Sequence, residues 1–332
     1  MSRIVLVLPG RGSYTERSMG QLDPAHPWVQ AAETMRAELG LDSLIELDRA
    51  ERFSPARHLR PAHVSPLIYL RTMLDVERVR NEHEVVAIVG NSMGWYTGLA
   101  AGGALSFEDG FRLVQRMSML QEEHGAEGGQ IVYPLVGEDW RTIPERRAAV
   151  EAAVASQPGE LFHSIHLGGQ AVLAGSRVGL KAAIGALEPI QQGRITYPLR
   201  LAQHGPYHTP LVDATAQAAR MFAEELAFTQ PEVELIDGLG RRHTTWGADT
   251  ERLRDYTFGA QIVGTYNFTR SLEVALCEHA PDRLIATGPG NTLGGICGQI
   301  LVGQRWRGID SKDAFLAVQE GKTPILESLD RS

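Results

Sequence analysis

Two unbroken aliphatic runs, Ile4 to Leu8 and Val85 to Val89, constrain the fold most. A strand of consecutive apolar residues, with no alternation, is buried on both faces, which requires a parallel sheet covered by helices. Between the two runs, Leu67, Leu70, Met73 and Val76 follow at spacings of three and Leu74 widens the same stripe, so Pro66 to Arg80 is predicted to be a helix. Strands alternating with helices give an α/β fold with a parallel sheet. Ser106-Phe107-Glu108-Asp109 reads as a capping box with Asp in the acidic role, opening a helix through Phe111, Val114 and Met117 to about Glu123.

From Gly128 the texture changes. Strands are predicted at Ile131 to Val136, Leu161 to Ile165, Ala171 to Leu173 and Ile195 to Leu199, with helices near Arg146 to Ala155 and Val178 to Leu187. This β-α-β-β-α-β order predicts a small inserted subdomain of ferredoxin-like type over 128–198. The flanking segments, 1–127 and 199–332, form the larger part. In the second of these, helices are expected near Leu211 to Leu226 and Phe268 to Glu278, then a strand at Arg283 to Ala286. A Gly288-Pro289-Gly290 turn precedes another helix.

Composition narrows the function. The 332 residues carry 32 Lys plus Arg against 40 Asp plus Glu, a formal net charge of −8. With no Lys/Arg block, this excludes the concentrated basic face that nucleic-acid binding needs. No apolar run approaches the roughly 18 residues of a membrane helix, and the five aliphatics after Met1-Ser2-Arg3 are too few for a signal peptide, so a cytoplasmic protein is expected. Two cysteines, Cys277 and Cys297, rule out a disulfide framework and a Cys-built zinc site; both are expected to be small core residues.

Gly90-Asn91-Ser92-Met93-Gly94 lies directly after a buried strand and before a small-residue helix, Tyr96 to Ala101. This is the setting of a nucleophile elbow, in which flanking glycines permit a sharp turn that lifts the serine hydroxyl beyond the sheet. The amide of Met93 would then face a developing oxyanion. Of eleven histidines, His208 is the best base. Pro206 and Pro210 stiffen its loop. His204 stands four residues earlier, but Pro206 disfavours the helix that would make the two a metal pair, and no metal is expected. His163 and His166 read as structural or solvated strand residues. Gly10-Arg11-Gly12 lacks the third glycine of a dinucleotide fingerprint, and no Walker motif occurs. At the carboxyl end of a strand, the Arg11 amide is instead a candidate second oxyanion donor.

Four segments in order resemble the malonyl-CoA:acyl carrier protein transacylase family, including polyketide synthase acyltransferase domains. Leu8-Pro9-Gly10-Arg11-Gly12-Ser13 is similar to the family's Phe-Pro-Gly-Gln-Gly-Ser. Gly90-Asn91-Ser92-Met93-Gly94-Trp95-Tyr96-Thr97, continued by Ala101 to Asp109, is similar to Gly-His-Ser-Leu-Gly-Glu-Tyr-Thr. Pro206-Tyr207-His208-Thr209-Pro210-Leu211 is similar to Pro-Phe-His-Ser-Pro-Leu, and Gly288-Pro289-Gly290 to the late Gly-Pro-Gly. The resemblance implies an α/β-hydrolase-like large subdomain around a ferredoxin-like insert. It also implies a monomer with no bound cofactor that takes acyl groups from acyl-CoA to the phosphopantetheine thiol of an acyl carrier protein. Ser92 would be the nucleophile and His208 its base. A backbone carbonyl from a segment similar to Leu235-Ile236-Asp237-Gly238 would orient the histidine in place of an acid.

Five positions depart from the family pattern. Met117 stands where the family presents the arginine that grips the malonyl carboxylate, and a thioether cannot do that. Arg116 is rotated about 100° away along the helix. Arg11 and Ser65 each replace a glutamine, Asn91 a histidine and Trp95 a glutamate. The acyl pocket is therefore expected to comprise Met117, Asn91, Trp95, Ser65 and Tyr207 and to take a neutral acyl group. Malonyl transfer with Arg11 as the cation, thioester hydrolysis and a non-catalytic role beside a synthase stay open. Arg241-Arg242-His243 is a candidate basic cluster for an acidic carrier protein.

Overall fold

The computed structural model describes residues 1–330; the last two positions of the expected 199–332 segment, Arg331 and Ser332, lie outside the described residues. A six-stranded sheet runs in the order Arg242–His243, Glu234–Ile236, Glu84–Gly90, Arg3–Leu8, Arg283–Ala286, Leu326–Ser328. All neighbours are parallel except the first pair. Ile4 to Leu8 are wholly buried at its centre, as continuous aliphatic runs require. This is a mixed α/β fold built on a parallel sheet.

The second sheet has five strands in the order Tyr266–Asn267, Leu161–Leu167, Gln170–Gly175, Gly129–Pro134, Leu199–Arg200. Within 129–200 every pairing is antiparallel, and the helices Pro144–Ala155 and Arg177–Ala186 cross between strands. Two details differ from the sequence expectation. The strand expected at Ile195 to Leu199 divides at Pro198, which has no N–H to donate to a ladder. Ile195–Tyr197 pairs with Ile190–Gln192, and Leu199–Arg200 alone reaches the sheet. The edge strand Tyr266–Asn267 arrives from a distant part of the sequence, and two residues carry no periodic signal.

The helix expected from Pro66 begins at Pro61 and runs to Glu82, with Pro66 inside it. Proline lacks the N–H that would bond the carbonyl four residues back. That carbonyl, on Ala62, accepts instead from Arg36 Nη1 at 2.8 Å and Gln115 Nε2 at 3.3 Å. The Arg36 side chain is fully buried; burial pulls its pKa down to about 10, which leaves it charged at neutral pH. It ties the Pro27–Glu38 helix to the Phe107–Glu123 helix, whose Ser106 cap accepts from Asp109 N at 3.0 Å. Cys297 is buried as expected, its thiol pushed up to about 12, but Cys277 is exposed on the outer face of the Phe268–His279 helix. Among the described residues, no helix is long and apolar enough to cross a membrane.

Candidate active site

At the carboxyl end of the Glu84–Gly90 strand the chain turns into the Gly94–Ala101 helix within three residues. Sterics fix the flanking glycines. A Cβ on Gly90 would stand 2.2 Å from the Gly94 carbonyl carbon, and one on Gly94 would stand 2.6 Å from the Leu8 carbonyl oxygen. Backbone on backbone leaves nothing to give way. Ser92, at the apex, has φ 55°, a left-handed conformation costly for a residue with a side chain. The turn is held by Asn91 N to Leu8 O at 3.0 Å, Gly94 N to Asn91 O at 2.8 Å and Tyr266 Oη to Gly90 O at 2.5 Å.

Ser92 Oγ lies 2.7 Å from His208 Nε2. His208 is also left-handed, at φ 59°, and is 4% exposed. Its backbone N–H donates to Ile262 O at 3.1 Å, and its Nδ1 lies 2.8 Å from Gln261 O. A carbonyl only accepts, so Nδ1 carries the proton and Nε2 presents its lone pair to the serine hydroxyl. These carbonyls are available because Ala260–Val263 is a single helical turn, whose terminal C=O groups have no partner within the helix. Burial lowers the His208 pKa to about 4, partly offset by the bond to Gln261, and keeps the imidazole neutral at physiological pH.

The orienting carbonyl is therefore that of Gln261, which corrects the assignment to Leu235–Gly238. The Gly238 carbonyl is taken by Asn267 N at 2.8 Å, and its own N–H donates to Tyr256 Oη at 2.8 Å. The Tyr266 ring packs against Gly238 and, at 5.4 Å between centroids, against His208. Gln261 is itself clamped: Tyr96 Oη donates to its Oε1 at 2.5 Å, and its Nε2 donates to Ser92 O at 3.2 Å. Tyr96, Gln261 and Tyr266 were not found from sequence. Tyr96 had one signal, its place one helical step from Trp95, about 100° around the axis.

Trp95 is the second correction. It is 1% exposed and turned away from the cavity, donating from Nε1 to Thr257 Oγ1 at 3.0 Å and meeting Tyr256 edge-on at 5.1 Å. Tyr96 takes the cavity-facing place on that helix.

Ser92 and His208 open into a cavity of about 300 Å³ between the two sheets. Met117, 2% exposed, lines it, as do Ser65, Asn91, Met93, Arg11 and Tyr207. Val132, Ile165, Leu167 and Val172 of the five-stranded sheet add an apolar wall. Asn91 is buried, and its Oδ1 has no hydrogen-bond partner among the described residues. Arg116 points outward and pairs with Glu123 at 3.4 Å. The Arg11 and Met93 amides donate to no other group among the described residues. The Arg11 guanidinium donates to Gln121 Oε1 at 2.7 Å, to Tyr207 Oη at 3.0 Å and to Gln203 O, and lies 4.9 Å above the Tyr207 ring. All these partners are neutral, and it forms no ion pair among the described residues.

Outside the cavity, the basic cluster is only partly free. Arg242 is held by Glu234 at 2.6 Å and by Glu278, and His243 is buried beside Asp237 at 3.1 Å, leaving Arg241 exposed. His163 lies 3.0 Å from Glu151 and His166 is exposed. Among the described residues, no group of three or more His, Cys, Asp or Glu is arranged to hold a metal.

No protein-family model matches the chain. Over 327 residues, 96% of this chain and 99% of the relative, it is 23% identical to a malonyl CoA-acyl carrier protein transacylase of Haemophilus influenzae. The crystal structure of an acyl carrier protein S-malonyltransferase from Vibrio cholerae has a TM-score of 0.74 at 19% identity, covering 99% of this chain and 97% of that one. A malonyl-transacylase in complex with its type II PKS acyl-carrier protein has a TM-score of 0.73 at 21% identity, covering 90% and 93%. Those structures establish the shared fold. The resemblance carried by the four motifs holds: in sequence and in fold, across nine-tenths or more of its length, this chain is similar to the acyltransferases of the malonyl-CoA:acyl carrier protein transacylase family.

Proposed function

We propose that the protein is an acyl-CoA:acyl carrier protein acyltransferase working through an acyl-enzyme on Ser92. The observation that carries this reading is the 2.7 Å approach of Ser92 Oγ to a His208 whose tautomer is set by Gln261. In the first half-reaction His208 Nε2 takes the hydroxyl proton as Oγ attacks the thioester carbon. The oxyanion is met by the Arg11 and Met93 amides. Collapse breaks the C–S bond, and the imidazolium returns its proton to the CoA sulfur. In the second, the phosphopantetheine thiol gives its proton to Nε2 and attacks the ester carbon. The ester bond breaks, the proton passes back to Oγ, and Ser92 is regenerated.

The acyl group is read as neutral. Met117 lines the wall beside an aliphatic surface, and by the family resemblance its position is that of a carboxylate-gripping arginine. Malonyl transfer is the second reading, favoured by one observation: Arg11 lines the cavity with no acidic partner among the described residues. We further propose that 1–127 with 199–332 is an α/β-hydrolase-like subdomain, and that 128–198 is a ferredoxin-like insert. The strand order fourth-first-third-second supports this, with the fourth strand, Leu199–Arg200, falling just past the boundary at 198. The reaction is tested by incubating acyl-CoA with the phosphopantetheinylated carrier protein. The proposal expects Ser92-dependent carrier acylation. Free acid with no carrier acylation would make the protein a hydrolase.

A further inference from the structure

His204 forms a second polar chain at the cavity mouth, apart from the Ser92–His208 pair. Its Nδ1 lies 2.7 Å from Gln130 Oε1, Gln130 Nε2 lies 2.6 Å from Ser164 Oγ, and Ser164 Oγ lies 2.8 Å from Tyr207 O. The last partner fixes the direction of the whole chain. A carbonyl only accepts, so Ser164 spends its single proton on Tyr207 O and accepts from Gln130. The amide must then turn its oxygen to His204, so Nδ1 carries the imidazole proton. A neutral His204 is left with a bare lone pair on Nε2. Burial, with the Arg11 charge nearby, opposes protonation.

Nε2 has no partner among the described residues. It stands 3.9 Å from where a Cβ on Gly12 would be, and Gly12 is exposed at the mouth. Exposed Gln203 and half-buried Arg11 complete that rim. A fixed acceptor at the entrance suits a ligand that brings a hydrogen-bond donor past it. In the proposed reaction both the acyl donor and the carrier protein enter through the same arm, pantetheine, which has two amide N–H groups.

We infer that His204 is a positioning residue whose Nε2 accepts a hydrogen bond from a pantetheine amide in both half-reactions. This rests on the acyltransferase reading. Gln130 and Ser164 act through it by holding the tautomer.

The test compares Ser92 acylation by butyryl- and malonyl-CoA with acylation by the corresponding S-ethyl thioesters, which have the same reacting bond and no amide. Intact-protein mass against time supplies the rates. For His204→Phe the expected result is a KM for the loaded CoA donor raised on the order of tenfold, with kcat near wild type and S-ethyl loading unchanged. The carrier protein's KM should rise similarly, and His204→Gln, which can offer an amide oxygen near the same place, should restore part of the loss. Equal losses with CoA and S-ethyl donors, or no loss with either, would overturn the inference. Absence of any Ser92 adduct in wild-type protein would count against the acyltransferase reading itself, so the two failures are distinguishable.

Discussion

The reacting pair and the acyl wall share one cavity but are fixed by different physics. At the reacting end, backbone decides. Ser92 and His208 are both left-handed, Gly90 and Gly94 leave no room for a Cβ, and the base is oriented by a carbonyl. At the wall, side-chain identity decides: Met117 and Val114 project from an ordinary helix, and Arg11 is held by three neutral acceptors. A site built this way keeps its chemistry while exchanging its substrate, because altering the wall strains nothing at the turn.

The largest break in this comparison is expected at the base. His208→Ala should lower Ser92 acylation on the order of 10³-fold, measured by single-turnover mass spectrometry. The pH dependence sharpens the same point. A histidine near its ordinary value of about 6.5 would be mostly protonated at pH 5. Held at about 4, His208 stays mostly neutral there, so the rate should stay nearly level from pH 7 to 5 and fall only toward 4. The depressed value has a stability corollary. The unfolded chain takes up the His208 proton at higher pH than the folded one, so this contribution is complete above the unfolded value and is lost as pH falls toward about 4.

Gly94→Val comes next. Its side chain would meet the Leu8 and Pro9 carbonyls, costing about 1–3 kcal/mol of stability. Displacing the turn should cut acylation on the order of 10²-fold. Calorimetry and adduct kinetics check the two effects. At the wall, Met117→Arg should leave the fold intact and shift preference toward malonyl over butyryl on the order of tenfold, read from competing adduct masses. Unchanged preference would mean that Met117 does not set the acyl class. Smallest is Arg241→Glu, expected to raise the carrier protein's KM by about twofold or less, since one exposed charge at a rim contributes little.

What could be read in the sequence follows the same division. Ile4 to Leu8, Val85 to Val89 and the Gly90–Gly94 turn are local, and their strands and sharpness are written in adjacent residues, although Val85 and Val86 at the strand's start are only half-buried. Helical spacing puts Met117 on the apolar face of its helix, and only the family resemblance puts it at the acyl pocket, whose wall it lines. Trp95 was misplaced because alignment to a family position says nothing of which helix face meets the cavity, and Tyr96 has that face. Gln261 carried no signal at all: it acts through its backbone carbonyl, which every residue has, and through a tertiary approach 53 residues from His208. Pro66 misled in the same way, since the tertiary partners Arg36 and Gln115 fill the hydrogen bond it leaves open.

The most direct test is intact-protein mass spectrometry after incubation with acetyl-, butyryl-, malonyl- and methylmalonyl-CoA in turn, beside the Ser92→Ala protein. The account predicts a covalent acyl adduct that requires Ser92 and forms faster from the neutral donors than from the carboxylated ones. An adduct that persists in Ser92→Ala, or no adduct and no released CoA from any donor, would contradict it.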